Sequence, residues 1–211
     1  MADTGRIIET PEDILEGAAH LARICPVWAR VLPQLDPLPL RRSEAGFRTM
    51  ANAIVGQQIS IAAAGSIWAR MEAAGLLTPE AIAAASDEEL RAVGLSRPKV
   101  KYLRGIATAG LDWDALHLLP DDKAIAELVA LPGIGLWTAE IYLKFALGRA
   151  DVFAAGDLAL QEAARIMYDL PERPNPAQLR ELALPWSPWR SVAARGLWAY
   201  YRQAKGKEGI R

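Results

Sequence analysis

The chain reads as an all-α protein, and three observations predict it. Apolar residues recur at helical spacing with no convincing alternating segment. Alanine is abundant while β-branched clusters are few. Helix starts are written repeatedly as a capping side chain followed by proline. Thr10-Pro11, Thr78-Pro79, Asn175-Pro176 and Ser187-Pro188 carry that signal, and Ser86-Asp87-Glu88-Glu89 is a capping box. The spacing predicts helices over 11–24, 26–33, 45–56, 60–74, 79–84, 87–93, 97–109, 121–130, 135–147, 158–169, 176–184 and 188–203. Pro-rich connectors fall at 34–43 and 170–176, and the tail AKGKEGIR after Gln203 reads as frayed. No internal repeat is present.

A chain of 211 residues is long enough for one large domain or two small ones. With 52% apolar and 23% charged residues it is globular rather than disordered. Cys25 is the only cysteine, which excludes an intrachain disulfide and a four-cysteine iron–sulfur or zinc centre. His20 and His117 are too few and too isolated to suggest a metal site. The opening MADTGRIIETPED is acidic and lacks the basic-then-apolar order of a signal peptide. No apolar run reaches the roughly 18 residues of a membrane span, so the expectation is a soluble cytoplasmic protein, nucleoid-associated if bacterial. A net charge of −1 leaves a nucleic-acid partner open, because local patches matter more than the sum.

From Phe47 to Arg70 the chain gives two apolar faces, Phe47, Met50, Ile54 and then Ile61, Ala64, Ile67, Trp68, interrupted at Gly56-Gln57-Gln58. Beyond Gly94, Ser96 is placed to cap a helix carrying Arg97, Lys99, Lys101 and Arg104. Basic residues opening a helix oppose its macrodipole, a small cost that a phosphate would offset. A solvated face explains them equally well.

The stretch from Leu131 to Asp157 carries the chemistry. Leu131-Pro132-Gly133-Ile134-Gly135 joins two helical segments and opens the second with glycines, presenting backbone N–H groups that suit a phosphate. Ile134 fits between the two helices, and Thr138 lies one turn in. Asp157 follows a second Gly-containing break and opens the next helix, as an N-cap or as a reactive carboxylate. That helix has Leu158, Ala164, Ile166 and Met167 as its apolar surface. Near the end, Trp186, Trp189, Trp198, Tyr200 and Tyr201 crowd one stretch. Tryptophans at helical spacing are core residues more often than ligand contacts. Trp28, Trp68 and Trp113 read as core and Trp189 as packing.

Taken together, AIVGQQIS, GLSRPKVKYL, LPGIGLWTAE, the Asp157 break and SPWRSVAARGLW resemble, in order, the motifs of the helix-hairpin-helix (HhH-GPD) DNA glycosylases. The likeness covers roughly residues 45–203. It is greatest to the AlkA-type DNA-3-methyladenine glycosylases II, in a compact form lacking the extra N-terminal β-domain. The resemblance implies two helical subdomains flanking a cleft. One is 1–45 plus 149–211; the other is 46–148, with the hairpin at about 124–147.

It implies a monofunctional glycosylase of base excision repair acting on double-stranded DNA with a damaged base. The base would be an alkylated purine of the 3-methyladenine or 7-methylguanine type. By the same resemblance Asp157 is catalytic, Trp137 and Trp198 line the base pocket, and Gln58 enters the gap left by the flipped nucleotide. Gly133, Gly135 and Thr138 hold phosphate. The carbonyls of Val129, Leu131 and Ile134 bind a monovalent cation, with no other cofactor. Members that also cut the strand carry a lysine where this chain has Trp137, so no lyase activity is expected. Gly156 stands where certain relatives carry a second acidic residue. A monomer suits a patrolling enzyme. The alternatives are a family member acting on deaminated or other damaged bases, a non-catalytic DNA-binding module, and a plain helical scaffold.

Overall fold

The computed structural model describes residues 4–205, and over them the chain is helical. Among the described residues the only extended pairing is one antiparallel bridge, Ile7 to Arg149. No helix of these residues is long and apolar enough to cross a membrane.

The local helix starts form as their side chains dictate. In α1 (Pro11–Ile24) the Thr10 hydroxyl accepts the Asp13 N–H at 3.3 Å, and the Asp13 carboxylate accepts the Thr10 N–H at 2.9 Å. The N–H groups of Glu9 and then Thr10 hold the Asp13 carboxyl below its ordinary range. Ser86 with Glu89, and Asn175 with Gln178, make the same reciprocal pair. Each such cap contributes about 1 kcal/mol.

The chain divides into two compact units, one of which runs from Ser43 to Tyr142. It holds α3 (Phe47–Gly56), α4 (Ile61–Ala73), α5 (Pro79–Ala84), α6 (Asp87–Ala92) and α7 (Arg97–Thr108). A 3-10 turn at Ala115–Leu118, α8 (Asp121–Val129) and α9 (Leu136–Tyr142) complete it. Met50, Ile54, Met71, Leu90, Leu103 and Ile106 are fully buried within it. The Gly46 N–H donates to the Tyr142 hydroxyl at 2.6 Å, which fixes where α3 begins.

Three expectations fail in this unit. Met71 is the one residue of α4 that is buried, and Ile61 is 75% exposed, because the N-terminal half of that helix has little packed over it. Trp68 and Trp113 are half-buried rather than core. Trp68 lies under the Arg48 guanidinium, 5.9 Å from its ring centroid, and Trp113 packs between Phe47 and Tyr142. Ser96 precedes α7 without a capping hydrogen bond; Pro98 in the first turn supplies the preset backbone instead.

Among the described residues the second unit comprises 4–42 and 143–205. It contains α1, α2 (Pro26–Val31) with a 3-10 extension Leu32–Gln34, a π-helical turn Leu143–Leu147, α10 (Leu158–Met167) and α11 (Pro176–Leu182). A 3-10 turn at Leu184–Trp186 leads into α12 (Arg190–Lys205). Its core is aromatic. Trp28 and Phe153 meet Trp186 edge-on at 5.5 and 5.7 Å, and Trp189 is buried beside them. Gly17 lets α1 approach α12 closely, since a Cβ there would stand 2.6 Å from the Val192 side chain.

Ser187 is not a local cap, and α12 starts two residues later than the sequence suggests. The Ser187 hydroxyl donates to Asp151 Oδ2 at 2.8 Å. The same carboxylate accepts Arg190 Nε at 2.8 Å, Nη2 at 2.7 Å and its backbone N–H at 3.4 Å. A carboxylate from a distant loop thus replaces the capping hydroxyl. At its other end α12 continues through Ala204 and Lys205, where fraying was expected; the rest of that tail lies outside the described residues. Leu158, expected on the apolar face of α10, is exposed, while Ala164 and Met167 are buried.

Candidate active site

In the first unit the predicted phosphate turn follows α8. The Leu131 N–H donates to the Leu128 carbonyl, and the Ile134 N–H to the Leu131 carbonyl at 3.2 Å, which tightens the chain reversal. Gly133 has φ +80°, and a Cβ there would fall 2.4 Å from the Tyr102 ring, so only glycine fits. Ile134 is buried and anchors the turn. Gly135 is exposed, with nothing within 4 Å of where a Cβ would lie. The first N–H groups of α9 have no intrahelical acceptor and stand beside that open glycine. Trp137 is 47% exposed. Thr138 is buried, with 8% of its surface left, so its hydroxyl meets a ligand only through that remnant. Among the described residues the carbonyls of Val129 and Ile134 accept no backbone N–H, and that of Leu131 accepts one.

Gln57 and Gln58 separate in role. Gln58 is exposed with φ +58°, a left-handed conformation rarely taken by a residue with a side chain. Gln57 turns the other way, and its amide donates to the Gly133 carbonyl at 3.1 Å. The buried Lys99 ammonium closes the end of α3 by donating to the Val55 carbonyl at 2.7 Å, and burial lowers its pKa. Arg104 donates to the carbonyls of Ala83 and Ala85 and to Asp87. Two of the four basic residues on α7 are therefore occupied inside the unit, while Arg97 and Lys101 remain exposed.

In the second unit Asp157 is half-buried at the start of α10. Its Oδ1 accepts the N–H groups of Ala159 at 2.8 Å and Leu160 at 3.4 Å. The Asp157 N–H donates to the Ala154 carbonyl, and the buried Gln161 amide holds the Ala155 carbonyl at 2.8 Å. The capping role is real, and it fixes the carboxylate's direction. Trp198 is half-buried on α12, with the Arg41 guanidinium 5.5 Å from its ring centroid. Arg41 itself has φ +46°.

Lys144 escaped the reading of the sequence. The expected helix 135–147 is α-helical only to Tyr142 and then widens into the π turn, with the Arg149 N–H reaching back to the Leu143 carbonyl at 3.0 Å. Such insertions recur at functional sites. Lys144 is 4% exposed, and its amine lies 4.8 Å from the Phe145 ring centroid. Burial pushes its pKa well below the usual lysine value, and Arg195 adds to this, while the Asp157 carboxylate opposes it. Arg195 packs 5.2 Å from the same ring and donates to the Ser191 and Leu40 carbonyls at 3.0 Å each. Burial, with Arg42 and Arg41 nearby, pushes its pKa down to about 10. The available signal was a lone lysine inside the apolar run Ile141–Leu147.

The pattern of the HhH-GPD superfamily of base excision DNA repair proteins matches residues 51–188, well over half of the chain. The chain belongs to this family. The HhH-GPD match runs through Gln58, the Gly133–Gly135 turn and Asp157, and stops short of Trp198. DNA-3-methyladenine glycosylase 1 of Schizosaccharomyces pombe is 28% identical over 97% of this chain and 96% of its own. A structure of a DNA-3-methyladenine glycosidase from Bacillus halodurans superposes with a TM-score of 0.81 at 30% identity, covering 96% of this chain and 94% of that one. The Schizosaccharomyces pombe 3-methyladenine DNA glycosylase in complex with abasic DNA gives a TM-score of 0.75 at 28% identity, over 93% of this chain and 100% of that one.

Proposed function

We propose that this HhH-GPD protein is a monofunctional DNA glycosylase that hydrolyses the N-glycosidic bond of flipped-out alkylated purines in duplex DNA. The observation that carries the reading is Asp157. It opens α10 with its carboxylate held by two backbone N–H groups, in a chain similar over nearly its whole length to proteins named 3-methyladenine glycosylases.

As the glycosidic bond stretches, the deoxyribose acquires oxocarbenium character, and a carboxylate held in place stabilises it without reorganising. The same group orients the attacking water. An alkylated purine such as 3-methyladenine or 7-methylguanine already carries positive charge and leaves without a second acid, which fits Gly156 in the preceding position. By the family resemblance Trp137 and Trp198 are the indoles offered to the base, and cation–π attraction of an indole to a cationic ring is worth on the order of 0.5–2 kcal/mol. Gln58, exposed and left-handed, enters the gap and offers its amide to the orphaned opposite base. Extrusion itself costs a few kcal/mol, less for a damaged or mispaired base.

Gly133 and Gly135 offer backbone N–H groups to a phosphate, with a minor share for Thr138. Such contacts give position and salt-dependent affinity rather than sequence preference. The carbonyls of Val129, Leu131 and Ile134 suit a monovalent cation, since two of the three accept no backbone N–H among the described residues. Such an ion would supply positive charge beside that phosphate. An indole at Trp137 cannot form a Schiff base, so the strand stays intact. The protein acts as a monomer. Incubation with methylated DNA tests the reading: free 3-methyladenine should appear, with strand breaks only after alkali.

A further inference from the structure

The second unit gathers four cations, one of them under the influence of Asp157. Arg195 and Arg41 act electrostatically on Lys144, Arg42 and Arg41 act on Arg195, and Asp157 is the one carboxylate among the influences on Lys144. Among the described residues none of the four forms an ion pair with a carboxylate. Arg42 spends its guanidinium on the carbonyls of Ile8 at 3.0 Å and Ala146 at 3.1 Å. The other three are differently placed. Arg195 Nε is buried with no hydrogen-bond acceptor. Lys144 is more than nine-tenths buried. Both pack on the Phe145 ring, 4.8 Å and 5.2 Å from its centroid. Arg41 is held in a strained backbone conformation with its guanidinium over Trp198.

A buried donor without an acceptor, such as Arg195 Nε, is rare, and an unfilled ion position is one of its ordinary explanations. Like charges gathered without counter-charge are unfavourable unless an anion joins them. The anion that fits is compact, bears several acceptor oxygens and arrives beside Asp157 and Trp198. On the glycosylase reading, on which this inference rests, that is a phosphodiester of the strand whose nucleotide is extruded. We infer that Lys144, Arg195 and Arg41 form a phosphate subsite beside Asp157, separate from the glycine turn, which holds the backbone adjoining the extruded nucleotide.

The test compares wild type, Lys144→Met and Arg41→Gln, the first close to isosteric and the second at an exposed position. Melting temperature is followed against sodium phosphate at constant ionic strength, with chloride as the balancing salt. Wild type should gain stability that saturates with phosphate, and Lys144→Met should lose that gain. In a second arm, binding to an abasic duplex is measured against salt. The slope of log affinity on log salt should fall by about 0.9 for each phosphate contact removed in Arg41→Gln. An uncharged methylphosphonate at one linkage next to the abasic site should erase the difference between the proteins. Equal phosphate responses together with equal slopes in all three would overturn the subsite. A phosphate response with unchanged slopes would keep the subsite but assign it to free phosphate, overturning the DNA source. Absence of abasic-DNA binding by wild type would instead remove the glycosylase reading, and the phosphate arm would still report on the subsite.

Discussion

The Gln57 side-chain amide donates to the Gly133 carbonyl at 3.1 Å, tying the turn that carries Gln58 to the glycine turn before α9. The residue proposed to fill the DNA gap and the residues proposed to hold the phosphate are thereby set in one register. Gln57→Ala removes one half-buried hydrogen bond, worth about 1 kcal/mol. Affinity for abasic duplex should drop severalfold in a fluorescence anisotropy titration, with the fold retained. Unchanged affinity would make this link incidental to binding.

The two hairpin glycines should respond differently. Gly133→Ala forces a Cβ toward the Tyr102 ring at positive φ, and urea denaturation should show a loss of about 1–3 kcal/mol. Gly135→Val meets nothing within 4 Å and should leave stability within about 0.5 kcal/mol of wild type. Its effect should appear as weaker binding to every duplex alike. A Gly135 variant that binds normally would take this turn out of the interface.

Gln58→Gly relieves a left-handed residue while loosening the unfolded chain, so stability should change by less than about 1 kcal/mol. Excision of a lesion in a normal pair should slow more than excision of the same lesion left unpaired, because the unpaired base is already partly extruded. Equal slowing on the two substrates would mean that Gln58 acts elsewhere.

Lys144 gives a pH signature. Its folded-state pKa is depressed below 10.5, first by burial and then by Arg195, with Asp157 opposing. The unfolded chain therefore binds more protons between the depressed value and 10.5, and stability rises with pH across that window. The gain in urea midpoint from pH 7 to about pH 9 should be larger in wild type than in Lys144→Met. The variant should also be the more stable protein at pH 7, since it buries no ammonium. Identical pH dependence would show that Lys144 is solvated and charged in the folded protein.

What could be read ahead of the structure was mostly local. Thr10, Thr78, Ser86 and Asn175 cap the helices they precede because donor and acceptor lie within three residues. Ser187-Pro188 carries the same signal but answers to Asp151, 36 residues away, which no window of sequence reveals. The helix 135–147 has apolar spacing compatible with either an α or a π turn, so the π segment was not legible, and a lone lysine in an apolar run was the one hint of the inward Lys144. Lys99 and Arg104 look like any surface cations until their acceptors, the carbonyls of Val55, Ala83 and Ala85, are brought near by tertiary packing. Trp68 and Trp113 follow core spacing, yet cover the edge of their unit. The candidate site residues were named through motif order, and their surroundings required the fold.

The central claim is that Asp157 drives the loss of the base. Asparagine keeps a side-chain oxygen for the Ala159 and Leu160 N–H groups, so Asp157→Asn retains the helix cap while removing the charge. Base release should be followed from duplexes carrying 3-methyladenine or 7-methylguanine, with abasic-duplex binding measured alongside. Wild type should release the base and leave a strand that breaks only in alkali. Asp157→Asn should bind the abasic duplex with release slowed by orders of magnitude. Normal turnover by Asp157→Asn would contradict the account at its centre.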